Sequence, residues 1–129
     1  MLKKNPKILV IDDEEDEVKL LKLILSPQGY EVDSAPDGKI GIEMVGSFKP
    51  DLIILDVMMP VLDGFSTCKQ LKNSEYKDIP IILLTGVAEQ IRKTSFPLDG
   101  VMRAEADEYI EKPAKPEDLL RTVKKFLHL

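Results

Sequence analysis

Acidic side chains follow an apolar segment near the start of the chain. Residues 8–17, ILVIDDEEDE, are four aliphatic residues followed by six acids. Acids are common in the first turn of a helix, because peptide dipoles leave the helix N-terminus partly positive. Two or three acids meet that need, so the surplus, above all Asp12 and Asp13, indicates that a cation also binds there. We interpret residues 14–17 as a solvated first helical turn without a site role.

Further polar residues stand at the ends of other apolar segments. Asp56 ends DLIILD, Thr85 ends IPIILLT, and Lys112 follows DEYIE. The carboxyl ends of parallel strands meet at one edge of a sheet, and open α/β sheets bind ligands outside that edge. If the first and third strands are neighbours, the carboxylates of Asp12, Asp13 and Asp56 converge, and their repulsion is costly unless a cation lies among them.

The chemistry of this set favours magnesium and phosphate. Oxygen ligands without His or Cys indicate a hard ion, and Mg²⁺ commonly combines one or two carboxylates with water and a phosphate. Lys112 can neutralise one phosphate oxygen, and Thr85 can donate a hydrogen bond to another. A carboxylate can act as the nucleophile and form an aspartyl phosphate.

The elements that must position these residues are strands and helices in alternation. Continuous hydrophobicity, typical of strands covered on both faces, predicts strands at 7–11, 51–56 and 79–85, with weaker candidates at 30–35 and 107–111. Apolar residues at helical spacing lie between them, and the last helix is predicted to start at Pro116. The sequence therefore predicts an α/β fold with a doubly wound, five-stranded parallel sheet.

One interval does not follow this pattern. Pro97 and Gly100 interrupt the segment 86–106, so the fourth helix is either split or preceded by a long loop. Both alternatives stay open.

Composition narrows the class of protein. The length of 129 residues predicts a single domain, 1–129, and the apolar runs are too short to span a membrane. No export signal is visible, and the lone Cys68 suits a reducing, cytoplasmic location. The net charge of −5 argues against direct nucleic-acid binding by this domain.

Four ordered blocks of sequence carry a family resemblance. They are DD at 12–13, DVMMPVLDG at 56–64, LLTG at 83–86 and ADEYIEKP at 106–113. Together they resemble the response-regulator receiver domains of two-component signal transduction, in particular the chemotaxis-regulator type. The resemblance covers nearly the whole chain and implies a flavodoxin-like (βα)5 fold with strand order 2-1-3-4-5.

The resemblance also implies roles for individual residues. Asp56 accepts a phosphoryl group from a sensor histidine kinase or a histidine phosphotransfer protein. Asp13 and Asp56 ligate Mg²⁺ together with the backbone carbonyl of Met58, and Asp12 contributes chiefly through water. Lys112 binds the phosphoryl oxygens.

A second set of implied roles concerns switching. The bond between Lys112 and Pro113 is cis in the family. Thr85 moves toward the phosphate, and Tyr109 turns inward to fill the vacated space. The surface around the fourth helix, the fifth strand and the fifth helix then changes and acts on an output protein or domain.

Three other functions agree less well with the sequence. A magnesium phosphatase that uses Asp56 as nucleophile typically needs a nearby general acid, whereas Val57 and Met58 follow Asp56. The chain is therefore not expected to be an enzyme beyond its own Mg²⁺-dependent phosphorylation and dephosphorylation. Neither GxGxxG nor GxxxxGK[ST] occurs, which disfavours nucleotide binding. A receiver fold that is never phosphorylated is the third possibility, and the intact residue set argues against it.

Two leucines on the first helix have two interpretations. Leu20 and Leu23 lie off the apolar stripe of Val18, Leu21 and Leu25. They are either part of a broad core face or an exposed patch to which a kinase docks. Both alternatives stay open.

Overall fold

A parallel sheet of five strands forms the centre of the fold. The computed structural model describes residues 5–59, 61–86 and 106–127. The strands are β1 (Lys7–Ile11), β2 (Glu31–Ala35), β3 (Leu52–Asp56), β4 (Ile81–Thr85) and β5 (Glu108–Glu111). They lie in the order β2-β1-β3-β4-β5, and each neighbouring pair is parallel. The predicted fold class and strand order are confirmed.

Helices connect the strands. They are α1 (Glu15–Leu25), followed by a 3-10 turn (Ser26–Gln28), α2 (Gly38–Phe48), α3 (Gly64–Lys72) and α4 (Pro116–Leu127). The last helix begins at Pro116, as predicted. The predicted fourth helix falls within 86–106, of which 87–105 lie outside the described residues, so α4 is the helix predicted as the fifth. Among the described ranges, no helix combines the length and apolar composition needed to cross a bilayer.

The two faces of the sheet support two apolar clusters. Leu9 and Ile53 belong to a cluster that includes side chains of α2 and α3. Ile8 and Ile54 belong to a second cluster, with side chains of α1 and α4. Successive strand residues point to opposite faces, so a strand covered on both sides has to be apolar throughout. This double burial explains the continuous apolar segments.

The turn after β3 folds back tightly against the strand end. Gly64 donates its N–H to the carbonyl of Val57 at 2.8 Å. A Cβ atom on Gly64 would lie 2.6 Å from the Cα of Val57, so a glycine is needed for this approach. Asp63 caps α3, since its side chain accepts the N–H of Ser66 at 2.9 Å. The turn therefore holds the end of β3 in a defined position.

Candidate functional site

Three carboxylates lie together at the carboxyl edge of the sheet. Asp12 and Asp13 follow β1, and Asp56 is the last residue of the neighbouring β3. One carboxylate oxygen of each residue lies within 4.8 Å of the other two. Asp12 and Asp56 are only 3% exposed, whereas Asp13 is exposed. The adjacency of the first and third strands thus brings the three acids into one pocket.

The surroundings of Asp12 disfavour its charged form. Its Oδ1 accepts the N–H of Glu14 at 2.9 Å, while its buried Oδ2 has no hydrogen-bond partner among the described residues. Burial is the main cause that raises the pKa of Asp12 from 3.8 to about 7, and the charges of Asp56 and Glu17 add to it. A buried carboxylate oxygen without a partner is costly, so this atom fits a ligand.

Lys112 lies against the acidic cluster. Its Nζ is 2.6 Å from Oδ1 of Asp56, and it is 3.0 Å and 3.1 Å from the two carboxylate oxygens of Glu17. Burial alone would lower the pKa of Lys112, but the hydrogen bonds and charges of Asp56 and Glu17 outweigh it and raise the pKa. Burial also raises the pKa of Asp56, and Lys112 opposes that shift. The ammonium group is therefore held charged between two acids.

The backbone of β4 positions Lys112. The N–H of Lys112 donates to the carbonyl of Thr85 at 2.9 Å, immediately after Thr85 pairs with Glu111. The peptide bond between Lys112 and Pro113 is cis, as the resemblance implies. Thr85 adjoins the pocket through this backbone contact.

Tyr109 and Met58 are the remaining predicted site residues. Tyr109 is part of β5, pairs with Leu83 and packs, half-buried, against the cluster beneath α2 and α3. Burial raises the pKa of its hydroxyl. Met58 lies two residues beyond Asp56 with an exposed side chain. The switching role of Tyr109 and the carbonyl ligand of Met58 stay predictions.

Glu17 is the pocket residue that sequence reasoning missed. We expected all four acids of residues 14–17 to be solvated, and the other three are exposed. The Glu17 side chain is instead only 20% exposed and bonded to Lys112. Glu17 lies one and two helical turns before Leu21 and Leu25, which are buried. An acid in phase with buried leucines is the sequence signal that could have identified it.

The donor set of the pocket fits a hard divalent cation. Asp12, Asp13 and Asp56 offer only carboxylate oxygens at mutually short distances. Together with Glu17 they are four carboxylates, and among the residues that the structure describes Lys112 supplies the ammonium that contacts Asp56 and Glu17. The buried Oδ2 of Asp12 requires a partner. An oxygen-coordinated ion such as Mg²⁺ satisfies these conditions.

Comparison with known proteins places this geometry in context. The family model of the response regulator receiver domain matches residues 8–124. The alkaline phosphatase synthesis transcriptional regulatory protein PhoP of Bacillus subtilis (strain 168) is 42% identical over 125 residues, which cover 95% of this chain and 49% of PhoP. The chain thus spans about half the length of the curated relatives it matches.

Solved structures show the same architecture. The response regulator TrrA from Thermotoga maritima, in complex with Mg²⁺-BeF, has a TM-score of 0.80 and 34% identity, covering 95% of this chain and 99% of TrrA. The receiver domain of the sensor histidine kinase PA1611 from Pseudomonas aeruginosa PAO1, with magnesium in its active site cleft, has a TM-score of 0.83 and 25% identity. That comparison covers 97% of this chain and 99% of the other.

Proposed function

We propose, since this chain belongs to the response regulator receiver domain family of two-component signalling, that Asp56 accepts a phosphoryl group with Mg²⁺ bound beside it. The observation that carries the proposal is the buried Asp56 carboxylate, 2.6 Å from Lys112 and clustered with Asp12 and Asp13. We also propose that residues 1–129 form a single receiver domain.

Phosphoryl transfer follows from the positions of these groups. A carboxylate oxygen of Asp56 attacks the phosphorus of a phosphohistidine, an O–P bond forms, and the P–N bond breaks with its electron pair left on the imidazole. Lys112, already hydrogen-bonded to Asp56, fixes the carboxylate and neutralises an oxygen of the transferred group. The low exposure of Asp56 limits the access of water to the reacting bond.

Asp13 and Asp56 are the proposed direct ligands of Mg²⁺, together with the carbonyl of Met58, and Asp12 contributes chiefly through water. When bound, the ion neutralises negative charge on the phosphoryl oxygens. The unpartnered Oδ2 of Asp12 and the close approach of the carboxylates support this assignment. The magnesium named in the TrrA and PA1611 structures supports it as well.

The phosphoryl charge is proposed to act through Thr85 and Tyr109. The carbonyl of Thr85 accepts the backbone N–H of Lys112. Tyr109 belongs to β5 and lies three residues before Lys112 in the chain. A hydroxyl drawn toward the phosphate leaves space that Tyr109 can fill. The surface around β5 and α4 then changes and signals to an output protein or domain.

The chemistry of the chain is proposed to end with its own phosphorylation and its hydrolysis. A phosphatase with an Asp nucleophile needs a general acid beside it. Val57 is fully buried and Met58 is apolar, so neither can supply a proton next to Asp56.

A groove beside the pocket is the proposed docking site of the histidine-bearing partner. It has a volume of about 430 Å³ and runs from Lys112 along α1, past Leu20. Leu20 is 54% exposed and Leu23 is exposed too, so the core-face alternative for these residues is wrong. We propose that a sensor histidine kinase or phosphotransfer protein places an apolar helix here, which brings its phosphohistidine to Asp56.

Exchange of one leucine tests the docking step. Leu20→Ser is expected to slow phosphotransfer from an autophosphorylated histidine kinase that labels the wild-type chain by about tenfold. Ile40→Ser, an exposed apolar residue on α2, is the matched control. Labelling by acetyl phosphate should not change in either variant. Equal transfer rates for both variants would place the docking surface elsewhere.

Intact mass measurement tests the central proposal. The wild-type chain, incubated with acetyl phosphate or phosphoramidate and Mg²⁺, should gain the mass of one phosphate. Asp56→Asn and a sample with EDTA should gain none. Asp78→Asn, which changes an exposed acid ahead of β4, should behave as wild type. An adduct that persists in Asp56→Asn, or one that forms equally well in EDTA, would contradict the proposal.

A further inference from the structure

An acid on α1 shares the lysine of the phosphorylation pocket. Both carboxylate oxygens of Glu17 lie within hydrogen-bond distance of Nζ of Lys112, at 3.0 and 3.1 Å, while the same Nζ contacts Asp56 at 2.6 Å. The side chains of Glu17 and Lys112 are only 20% and 25% exposed. The contact joins residues 95 positions apart in the chain.

Helix capping does not account for the position of Glu17. An acid at the third residue of a helix ordinarily accepts the backbone N–H of the N-cap residue. Here the N-cap is Glu14, and its N–H already donates to Oδ1 of Asp12 at 2.9 Å. Glu17 also precedes the buried Leu21 by one turn, a position unfavourable for an unpaired charge. The contact with Lys112 is therefore what retains the carboxylate at this place.

We propose that Glu17 is a positioning residue that holds Lys112 in the resting state and competes with the phosphoryl group for it. The inference rests on the proposed phosphorylation of Asp56. An ammonium group has three donors, and here two carboxylates already draw on them. A phosphoryl group on Asp56 adds negative charge and acceptor oxygens beside Lys112. Glu17 competes with the phosphoryl group for the Lys112 ammonium and repels the added negative charge, so it disfavours the phosphorylated form.

The same charge acts in the opposite sense on a bound cation. Each carboxylate near the metal pocket makes the local potential more negative, which favours Mg²⁺. Without the Glu17 charge, Lys112 pairs with Asp56 alone. The ammonium then neutralises Asp56, a proposed Mg²⁺ ligand, more completely. Loss of Glu17 should therefore weaken Mg²⁺ binding and strengthen binding of a phosphoryl group. A purely structural residue would not produce these opposite effects.

The test compares two glutamates in the first turn of α1. Glu17→Gln removes the charge at constant size, and Glu15→Gln removes the same charge from an exposed position, so it controls for net charge and for the helix dipole. Mg²⁺ affinity is measured by titration calorimetry, and affinity for beryllofluoride at saturating Mg²⁺ by ¹⁹F NMR. Glu17→Gln is expected to bind Mg²⁺ about threefold more weakly and beryllofluoride about three- to tenfold more tightly. Glu15→Gln should change either affinity by less than about twofold.

Two further variants make the result decisive. Glu17→Met also removes the charge and suits the apolar phase of Leu21, so it serves if the glutamine variant does not fold. Glu17→Asp keeps the charge and should return both affinities toward wild type. Weaker beryllofluoride binding in the neutral variants would show that Glu17 assists the phosphoryl group, and values equal to those of Glu15→Gln would show that it is passive. Either result overturns the inference, whereas a wild-type chain that binds neither Mg²⁺ nor beryllofluoride overturns the proposed function itself.

Discussion

Two lysine–carboxylate clusters lie at opposite ends of the strands, which we call the amino edge and the carboxyl edge of the sheet. Their contacts differ. At the amino edge, Nζ of Lys72 lies 2.8 Å from Oδ2 of Asp107 and also donates to the carbonyls of Lys77 and Ile79, each at 3.1 Å. The same Asp107 oxygen accepts the N–H of Ile81 at 2.8 Å. The three donors of Lys72 thus meet three acceptors. This pair joins the end of α3 to the starts of β4 and β5.

At the carboxyl edge, Nζ of Lys112 also has three acceptor oxygens, but the charges do not balance. Lys112 contacts two acids, Asp56 and Glu17, while Asp12 and Asp13 add further negative charge. The buried Oδ2 of Asp12 has no partner among the described residues. A single ion pair whose polar atoms all have partners indicates a group that stabilises the fold, whereas surplus charge and an unpartnered buried atom indicate a place for ligands.

Asp12→Asn should reduce the surplus of negative charge at the carboxyl edge and give the largest effect. Mg²⁺ affinity, measured by titration calorimetry, is expected to fall by about 100-fold, because an anionic oxygen at the pocket is lost. In EDTA, the free energy of unfolding in urea should rise by about 1 kcal/mol. The new side-chain amide can donate a hydrogen bond to a neighbouring carboxylate, and the repulsion between Asp12 and the other acids is lost.

The matched substitution at the other edge is Asp107→Asn. It should lower the free energy of unfolding and leave Mg²⁺ affinity unchanged, since Asp107 accepts hydrogen bonds from Lys72 and from the N–H of Ile81. If Asp12→Asn proved less stable than wild type in EDTA, the carboxyl edge would not be a strained site, and the contrast between the edges would fail.

Lys72→Met should break the balanced edge. The side chain of Lys72 is only 10% exposed, and its loss leaves Asp107 without its cation and the carbonyls of Lys77 and Ile79 without this donor. The free energy of unfolding is expected to fall by roughly 2–3 kcal/mol. Phosphate uptake from acetyl phosphate should not change. Lys69→Met, an exposed lysine on the same helix, is the control and should cost less than about 0.5 kcal/mol.

Stability of the metal-free protein should also depend on pH through Asp12. Its pKa is raised to about 7 in the folded state from 3.8, so the folded state binds the proton more tightly than the unfolded state. The stability contributed by the protonated form is complete below about pH 4 and is lost as the pH rises to about 7. Urea unfolding in EDTA should therefore show a loss of about 1–2 kcal/mol across this range, after allowance for solvent at the pocket.

Two companion measurements identify the group responsible. Asp12→Asn should flatten the pH dependence, and saturating Mg²⁺ should restore stability at the upper end of the range. The raised pKa of Asp56 acts with the same sign, so some slope should survive the substitution. A metal-free protein whose stability rises over this range would contradict the assignment.

The fold could be predicted well because its strands are apolar on both faces. The predicted strand 7–11 coincides with β1. The predicted strand 79–85 begins two residues early, since Pro80 cannot donate a ladder hydrogen bond and β4 starts at Ile81. The segment 87–105 lies outside the described residues, so neither alternative for the fourth helix was tested.

The pocket was predictable only in part. Asp12, Asp13 and Asp56 converge because strand order alone brings their strand ends together. Glu17 depends on how α1 is rotated about its axis, which is set by the packing of Leu21 and Leu25 against the sheet. Four consecutive acids look alike until that rotation and the start of the helix are known, because Glu14 shares the phase of Leu21 but is the N-cap residue.

The smallest predicted effect is the loss of stability in a variant of Lys7. It tests whether the burial of a lysine or its number of partners decides how much it stabilises the fold. Lys7 also lies at the amino edge, where Nζ donates to the carbonyl of Phe48 at 3.3 Å, lies 5.3 Å from the centre of the Phe48 ring and 3.9 Å from Glu31. Its side chain, however, is 37% exposed, so water competes for each contact. Lys7→Met is expected to lower the free energy of unfolding in urea by no more than about 0.5 kcal/mol.

A loss in Lys7→Met as large as that in Lys72→Met would mean that partner number decides the value of a lysine at this edge. The expected small loss would mean that burial decides it. Lys112, with its side chain 25% exposed, lies between Lys7 and Lys72 in exposure. On the burial argument, its contacts with Asp56 and Glu17 are strong enough to position the ammonium and weak enough to be exchanged when a phosphoryl group arrives.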